Sequence, residues 1–265
     1  MKRKLFCGLL AALTLFCIPA KASPGRVIPV QVDGTVLSQG VNYLEKGVTY
    51  VPLRGLLNAF GGWSVWWDSG EKVAAASSGS QSLTADPAGD TLTVNGRTYS
   101  GKVFVERGRT YVPLRILVTA LGGGVAWDPY LGGAAVTSPG AEYDAMDLYW
   151  LSRIISAESR GEALDGQIAV GNVVLNRVES ADFPGTIPAV IFDRKHDIQF
   201  TPISNGTVYL PPTAQSVEAA KRALDGENTV GDALYFYAPA LSQGVWINAN
   251  RTYLMTSAVT GSTCN

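Results

Sequence analysis

"TYVPLRGLLNAFGG" (residues 49–62) returns as "TYVPLRILVTALGG" (residues 110–123), an offset of 61 residues (110 − 49). Self-similarity at a fixed offset marks a duplicated structural unit, and it decides how the first half of the chain is read. Each copy is preceded by a β-rich stretch with a "VDG" or "VNG" turn, at residues 32–34 and 94–96. Each is followed by a tryptophan-containing strand ending in Asp, "WSVWWD" (63–68) and "VAWD" (125–128). The unit reads as hairpin, strand, short helix and strand, with the proline where strand gives way to the first helical turn. Val51, Leu53, Leu56, Leu57 and Phe60, with their counterparts in the second copy, are the expected core. Arg54 and Arg115 are expected to pair with an Asp inside their own unit. The cluster Trp63, Trp66 and Trp67 reads as core or inter-repeat packing, with a sugar-stacking platform as the alternative.

Outward from this pair, the chain begins with basic "MKRK", the apolar stretch "LFCGLLAALTLFCIPA", and "AKA" at 20–22. That order is a secretory signal peptide over 1–22, cut after Ala22; the apolar run is too short and wrongly flanked for a membrane anchor. Phe16 makes Cys17 a poor lipoprotein site. Loss of the leader removes Cys7 and Cys17 and leaves Cys264, so no intramolecular disulfide framework is expected and burial must supply stability. The remaining chain is long enough for one large domain or two small ones. Without the leader, 17 Lys+Arg stand against 22 Asp+Glu, net −5. That balance excludes a basic nucleic-acid footprint and a polyanion held by net charge alone. No later run approaches the ~20 apolar residues of a stable membrane span.

The repeats end before "TSPGAEYDAMD" (137–147), where Ser, Pro, Gly and acidic residues show no periodicity and read as a linker. Asp144 is placed to cap the helix that follows. The chain beyond the repeats carries 8 Lys+Arg and 14 Asp+Glu, so the two halves differ in character. The expected fold class is α+β: a two-repeat β-rich domain with short helices over 27–138, a linker over 139–146, and a helix-rich α+β domain over 147–265.

In that second domain Leu148, Leu151 and Ile155 recur at i, i+3 and i+7, and the next step of the stripe lands on Glu158. Metal and nucleophile chemistries fail by inventory. His196 is the only histidine, too few for a zinc site. A Cys-His pair would need Cys264, one residue from the chain end, where rigid placement is hard. No G-x-S-x-G elbow is present. Carboxylate chemistry survives, with no cofactor and no metal. Cleaving a glycosidic bond needs a carboxyl that is still protonated at ambient pH, and burial against apolar neighbours raises a Glu towards that state. Glu158 is placed for it, unless the helix frays there and Glu158 pairs with Arg160 or Arg153. Glu162, a possible second carboxylate, shares the face only if the helix runs through Gly161. Gly161 reads instead as the helix end, with Glu162 an early acid of the next helix.

Two families are resembled. Residues 27–138, through "TYVPLR…GG…W-D", resemble the copper amine oxidase N-terminal-like, or stalk, domain of exported Gram-positive proteins. This segment has no His and no Cys, the residues that suit copper best, so the name implies no metal. "IISAESRGEALDGQIAVGNVVLNRV" (154–178) is similar to the signature of the SleB/CwlJ cell wall hydrolases, the spore cortex-lytic enzymes. The likeness continues through "FPGTIPAVIF" (183–192), "QFTPISNGTVYLPP" (199–212) and "GDALYFYAPA" (231–240). It implies a lysozyme- or transglycosylase-like domain that cleaves peptidoglycan glycan strands with the first Glu of the signature, here Glu158. One buried Glu without a positioned second carboxylate suits a lytic transglycosylase better than a two-carboxylate hydrolysis. Gln199 and Thr201 would hydrogen-bond sugar groups or cap a turn before Pro202. Tyr235 and Tyr237 alternate on a strand and would stack on sugar rings or pack the core, and Trp246 is similar. Asn176 and Arg177 read as structural. The chain departs from the family at its end, "VTGSTCN", which lacks the usual His and leaves the last strand altered. The partners implied are peptidoglycan glycan strands, with the stalk open to cell-wall or cortex polymer. A non-catalytic wall-binding protein and a hydrolytic muramidase or glucosaminidase are the competing readings.

Overall fold

The structure is a computed structural model and describes residues 25–195, 199–237, 253–256 and 262–264. Of Tyr237 and of residues 253–256 and 262–264 only the backbone is described. Residues 1–24, which hold the expected signal peptide with Cys7 and Cys17, lie outside the described residues, as do His196 and Trp246.

The first copy runs β1 (Arg26–Val27), β2 (Val30–Val32), β3 (Thr35–Val36), β4 (Tyr43–Glu45), β5 (Val48–Pro52), α1 (Leu53–Phe60), β6 (Ser64–Asp68) and β7 (Val73–Ser78). The second runs β8 (Gln81–Asp86), β9 (Thr91–Val94), β10 (Arg97–Ser100), β11 (Phe104–Glu106), β12 (Arg109–Pro113), α2 (Leu114–Ala120), β13 (Gly124–Asp128) and β14 (Gly133–Thr137). In both copies the proline is the N-cap residue, one position before the helix. The two "V-D/N-G" stretches are two-residue hairpin turns. Asp33 and Asn95 take φ of 46° and 51°, with Gly34 and Gly96 at 83° and 80°, as such turns require.

The copies interlock. In the sheet β1-β4-β5-β12-β11, Val51 pairs with Val112, its own counterpart 61 residues on, while Pro52 pairs with Tyr111 and Tyr50 with Pro113. A local two-fold axis therefore passes between Val51 and Val112. The flanking sheets exchange partners across it, as β10-β9-β8-β7-β6 and as β13-β14-β2-β3, where β14 pairs in parallel with β2. One core results. Val51, Leu53, Leu56 and Leu57 and their counterparts Val112, Leu114, Leu117 and Val118 are all buried within it, and Phe60 packs at its edge.

Two expectations about this half are corrected. Trp63 packs on the core, but Trp66 and Trp67 are about half exposed, because β6 is the last strand of its sheet. Arg54 and Arg115 do not pair with the strand-ending aspartates. Asp68 and Asp128 instead accept turn amides, from Gly70 and Glu71 and from Tyr130 and Leu131. Asx-type turns of this kind use the carboxylate locally.

The second half contains α3 (Ala145–Ser159), α4 (Leu164–Glu179), α5 (Ile187–Ile191), α6 (Thr201–Asn205), a 3-10 turn (Thr207–Tyr209), α7 (Ala214–Leu224), and β15 (Tyr235–Tyr237), β16 (Tyr253–Thr256) and β17 (Ser262–Cys264). Asp144 caps α3, accepting from the amides of Met146 and Asp147. The strand order is β15-β17-β16, so the chain-terminal strand is the middle one. Helix α3 packs against α4, α5, α7 and the 3-10 turn. It is therefore buried on almost every side, wider than the stripe of Leu148, Leu151 and Ile155 implies. Its polar residues are accommodated individually: Ser159 Oγ donates to the Ile155 carbonyl, and Ser156 Oγ accepts from the Thr213 amide.

The segment between the halves is held at both ends. Asp33 accepts from the Ser138 amide at 2.8 Å, and Thr137 Oγ1 from the Ala145 amide at 3.1 Å. Tyr130 stacks on Phe192 with ring centroids 4.3 Å apart, and the Trp150 indole donates to Asp128. Among the described residues no helix is long and apolar enough to cross a membrane.

Candidate active site

Glu158 sits on the last turn of α3, in line with Leu151, Ile154 and Ile155, all of which are fully buried. Glu158 itself is half-buried, since the helix ends one residue later and opens its last turn to the surface. Burial alone pushes its carboxyl up to about 7. The proton is thus held to near neutrality by the cost of charging a group that water reaches poorly. Neither arginine offered by the sequence neutralises it. Arg153 lies 3.5 Å above the Tyr149 ring and donates to the Gly34 carbonyl, and Arg160 is exposed. The ion pairs among the described residues are Lys102–Glu45 and Arg222–Glu227, both elsewhere.

The helix stops before Gly161, and the chain turns with the Glu162 amide donating to the Ser159 carbonyl at 2.9 Å. Glu162 therefore leaves the face that carries Glu158. Two glutamines hold this turn: Gln215 Nε2 donates to the Glu162 carbonyl at 3.4 Å, and Gln167 is fully buried in the first turns of α4. Gln167 Nε2 donates to the same carbonyl at 3.1 Å, and its Oε1 accepts from Ser216 Oγ at 2.8 Å. Gln167 thereby ties the chain just past Glu158 to α4 and α7. The signal for it was present: a Gln between Gly166 and Ile168 on an otherwise apolar helix face needs partners for both ends of its amide.

A second cluster gathers around Arg177, near the end of α4. Its guanidinium lies 5.0, 5.3 and 5.4 Å from the ring centroids of Phe183, Phe200 and Tyr235, and its Nε donates to the Leu234 carbonyl at 2.8 Å. Asn176 donates to the Gly231 and Ala233 carbonyls. Both residues are structural ties between α4 and the chain leading into β15. Phe200 carries Gln199 and Thr201 on either side, so this cluster brings the 199–201 segment and Tyr235 together. Gln199 and Tyr235 are half-buried, while Thr201 is exposed at the first position of α6, and no side chain caps that helix. Tyr237 continues β15. Among the described residues no group of His, Cys, Asp and Glu is placed to hold a metal ion.

Residues 161–260 match the Cell Wall Hydrolase family, and residues 31–132 match the copper amine oxidase N-terminal domain. Glu158 lies three residues ahead of the first match, so geometry rather than the match singles it out. The chain is 38% identical over 105 residues to a spore cortex-lytic enzyme of Bacillus cereus, covering 40% of this chain and 39% of that protein. It is 34% identical over 116 residues to that of Oceanobacillus iheyensis, covering 44% and 41%. The chain thus spans about two-fifths of the length of these curated relatives. Among solved structures it resembles the catalytic domain of the germination-specific lytic transglycosylase SleB from Bacillus anthracis. That likeness has 34% identity, covers 47% of this chain and 98% of that one, and has a TM-score of 0.42. The copper amine oxidase N-terminal match brings no copper donors, because residues 31–132 hold neither His nor Cys. In its two halves, then, the chain matches the copper amine oxidase N-terminal domain and the cell wall hydrolase family.

Proposed function

We propose that this protein is an exported peptidoglycan-lytic enzyme that cleaves the MurNAc–GlcNAc bond of glycan strands as a lytic transglycosylase, with spore cortex as its substrate. The observation that carries the reading is Glu158: a carboxyl on a buried helix, with no counter-cation among the described residues, raised to about 7 by desolvation. A group that stays protonated near neutrality can act as a general acid and then, once ionised, as a general base. Glu158 gives its proton to the glycosidic oxygen as the bond to C1 of MurNAc breaks. The resulting carboxylate takes the proton of the MurNAc C6 hydroxyl, whose oxygen closes on C1 to give a 1,6-anhydro end. Glu158 finishes protonated, so no water, second carboxylate or metal is consumed. Gln199, Thr201 and Tyr235 are the proposed substrate contacts, with Tyr237 and Trp246 beyond them.

Export rests on the leader at 1–22, and the partition at 27–138, 139–146 and 147–265 on the repeat and the helix cap. The relatives named as spore cortex-lytic enzymes support the substrate class. The mass of the products tests the reading: an anhydro end is lighter by one water than a hydrolysed end. Products carrying the extra water would make the enzyme a hydrolase, and intact glycan would leave a wall-binding protein.

A further inference from the structure

The interlocked repeats create two equivalent grooves that the proposed chemistry does not use. The first, of about 780 Å³, lies between α1 and β6 of one copy and the β11–β12 hairpin of the other. Arg54, Arg109, Trp66 and Trp67 line it. The second, of about 770 Å³, lies between α2 and β13 and the β4–β5 hairpin, and Arg97, Arg115, Tyr99 and Trp127 line it. The strand registers make Trp67 and Trp127 counterparts, because Trp67 pairs with Ala74 and Trp127 with Ala134. Both indoles are nearly half exposed, at 45% and 46%.

Two large aromatic faces left open at related positions are not explained by the core. The arginines have no acidic partner among the described residues. Arg54 and Arg115 are exposed, and no Asp or Glu lines either groove. Among the described residues Arg115 donates to the Val125 carbonyl, and Arg97 lies over Tyr99. Each groove therefore offers a flat apolar face beside two cationic forks. That combination fits a sugar ring that stacks on the indole while a carboxylate on the same unit takes the guanidinium. The volumes are those of small-ligand clefts. Net charge plays no part in this, since it is the local pairing of arginine with tryptophan that selects.

We infer that the N-terminal domain is a bivalent binding module for carboxylate-bearing glycan strands, one segment per groove, with Trp67/Arg54 and Trp127/Arg115 as the equivalent contacts. That the glycan is wall or cortex peptidoglycan rests on the proposed function. Two grooves on one rigid core let a strand or neighbouring strands bind twice, so the second contact forms at high effective concentration.

The test is co-sedimentation of the full-length protein with purified insoluble walls, with turnover of soluble glycan strands read separately. Trp67→Ala with Trp127→Ala, and Arg54→Gln with Arg115→Gln, should each weaken wall binding tenfold or more and leave soluble turnover within twofold. One groove altered alone should lose less than both together, and Trp→Phe at both sites should retain most of the binding. Chitin, a neutral glycan, should bind at least tenfold more weakly than walls. The inference is overturned if both double variants bind walls like the parent, if chitin binds as well as walls, or if polyglutamate competes as effectively as soluble glycan. Absence of turnover in the unaltered protein, with wall binding still dependent on the grooves, would instead sink the catalytic reading and leave this one standing.

Discussion

The Asp128 carboxylate, at the end of the second repeat, accepts a 2.8 Å hydrogen bond from the indole N–H of Trp150 in α3, and both residues are wholly buried. Its other oxygen accepts from the amides of Tyr130 and Leu131. The counterpart Asp68 makes the same turn contacts but remains partly exposed. A motif that merely closes a turn in the first repeat thus becomes, in the second, a buried tie to the helix that carries Glu158. Asp128→Ala strands the indole N–H and two turn amides, and should lower stability by about 2–3 kcal/mol. Urea unfolding of Asp128→Ala, Trp150→Phe and the double variant checks this. The double variant should cost clearly less than the sum of the singles, and strict additivity would mean that the bond contributes nothing.

Much of this architecture was legible from local signals. The repeat placed both helices and their apolar residues, Asp144 announced the start of α3, and Gly161 its end. Tertiary relations were not legible. Nothing local says that Val51 pairs with Val112 or that β14 returns to β2, because strand pairing at that separation is set by the whole core. The stripe on α3 pointed at Glu158 but hid the burial of the other faces. Ser152, Arg153, Ser156 and Ser159 look solvent-facing until their hydrogen-bond and ring partners are known. Trp66 and Trp67 misled for the converse reason: tryptophans read as core residues, and only the edge position of β6 exposes them.

Gln167 should matter to the site without touching substrate. Gln167→Ala removes the nearer of two donors to the Glu162 carbonyl, leaving Gln215, and the acceptor for Ser216, with an expected stability loss of about 1–3 kcal/mol. Turnover should fall while KM changes little, because the path of the chain beyond Glu158 is loosened. Gln167→Glu keeps the acceptor but not the donor and should recover stability only in part. Unchanged turnover in a folded Gln167→Ala variant would remove its positioning role.

Arg177 should tolerate no other cation. Its planar group faces three rings at once and donates to the Leu234 carbonyl, a geometry that lysine cannot reproduce. Arg177→Lys is expected to cost about 2 kcal/mol or more and to speed amide exchange at residues 199–201 and 234–236. Exchange that stays at the parent rate in those segments would show that the cluster does not organise them.

Two carboxyls on α3 should make stability fall as pH rises. Burial, reinforced by the Asp144 carboxylate, pushes Asp147 up to about 6, and burial pushes Glu158 up to about 7. Folded-state values above the unfolded ones mean that the folded chain holds the extra protons, so ionisation penalises folding. The penalty is absent below about pH 4, grows between pH 4 and 7, and is complete above it. Asp147→Asn should relieve the part of the slope ending near pH 6, and Glu158→Gln the part ending near pH 7. The gain for Glu158→Gln at pH 8 is expected to be about 1–3 kcal/mol, allowing for its partial exposure. Thermal midpoints from pH 4 to 8 read it directly, and parallel curves for parent and variants would contradict the desolvation account.

The same substitution should abolish catalysis, and this combination is what a built acid/base predicts. Glu158→Gln preserves the shape of the last turn of α3 but can neither give nor take a proton. Loss of general acid–base help alone costs about 10²–10⁴-fold, while glycan binding should be nearly unchanged. Because Glu158 must begin protonated, its titration should form the alkaline limb of the rate profile near pH 7, and the acidic limb belongs to other groups. Glu162→Gln should cost far less, since the turn after Ser159 takes Glu162 off the face that carries Glu158. A structural carboxyl would give the stability gain without the catalytic loss. A solvated catalytic one would give the loss without the gain. Only a desolvated acid/base gives both. If Glu158→Gln turns over glycan at the parent rate while Glu162→Gln is inactive, the catalytic carboxylate is Glu162 and the assignment to α3 is wrong.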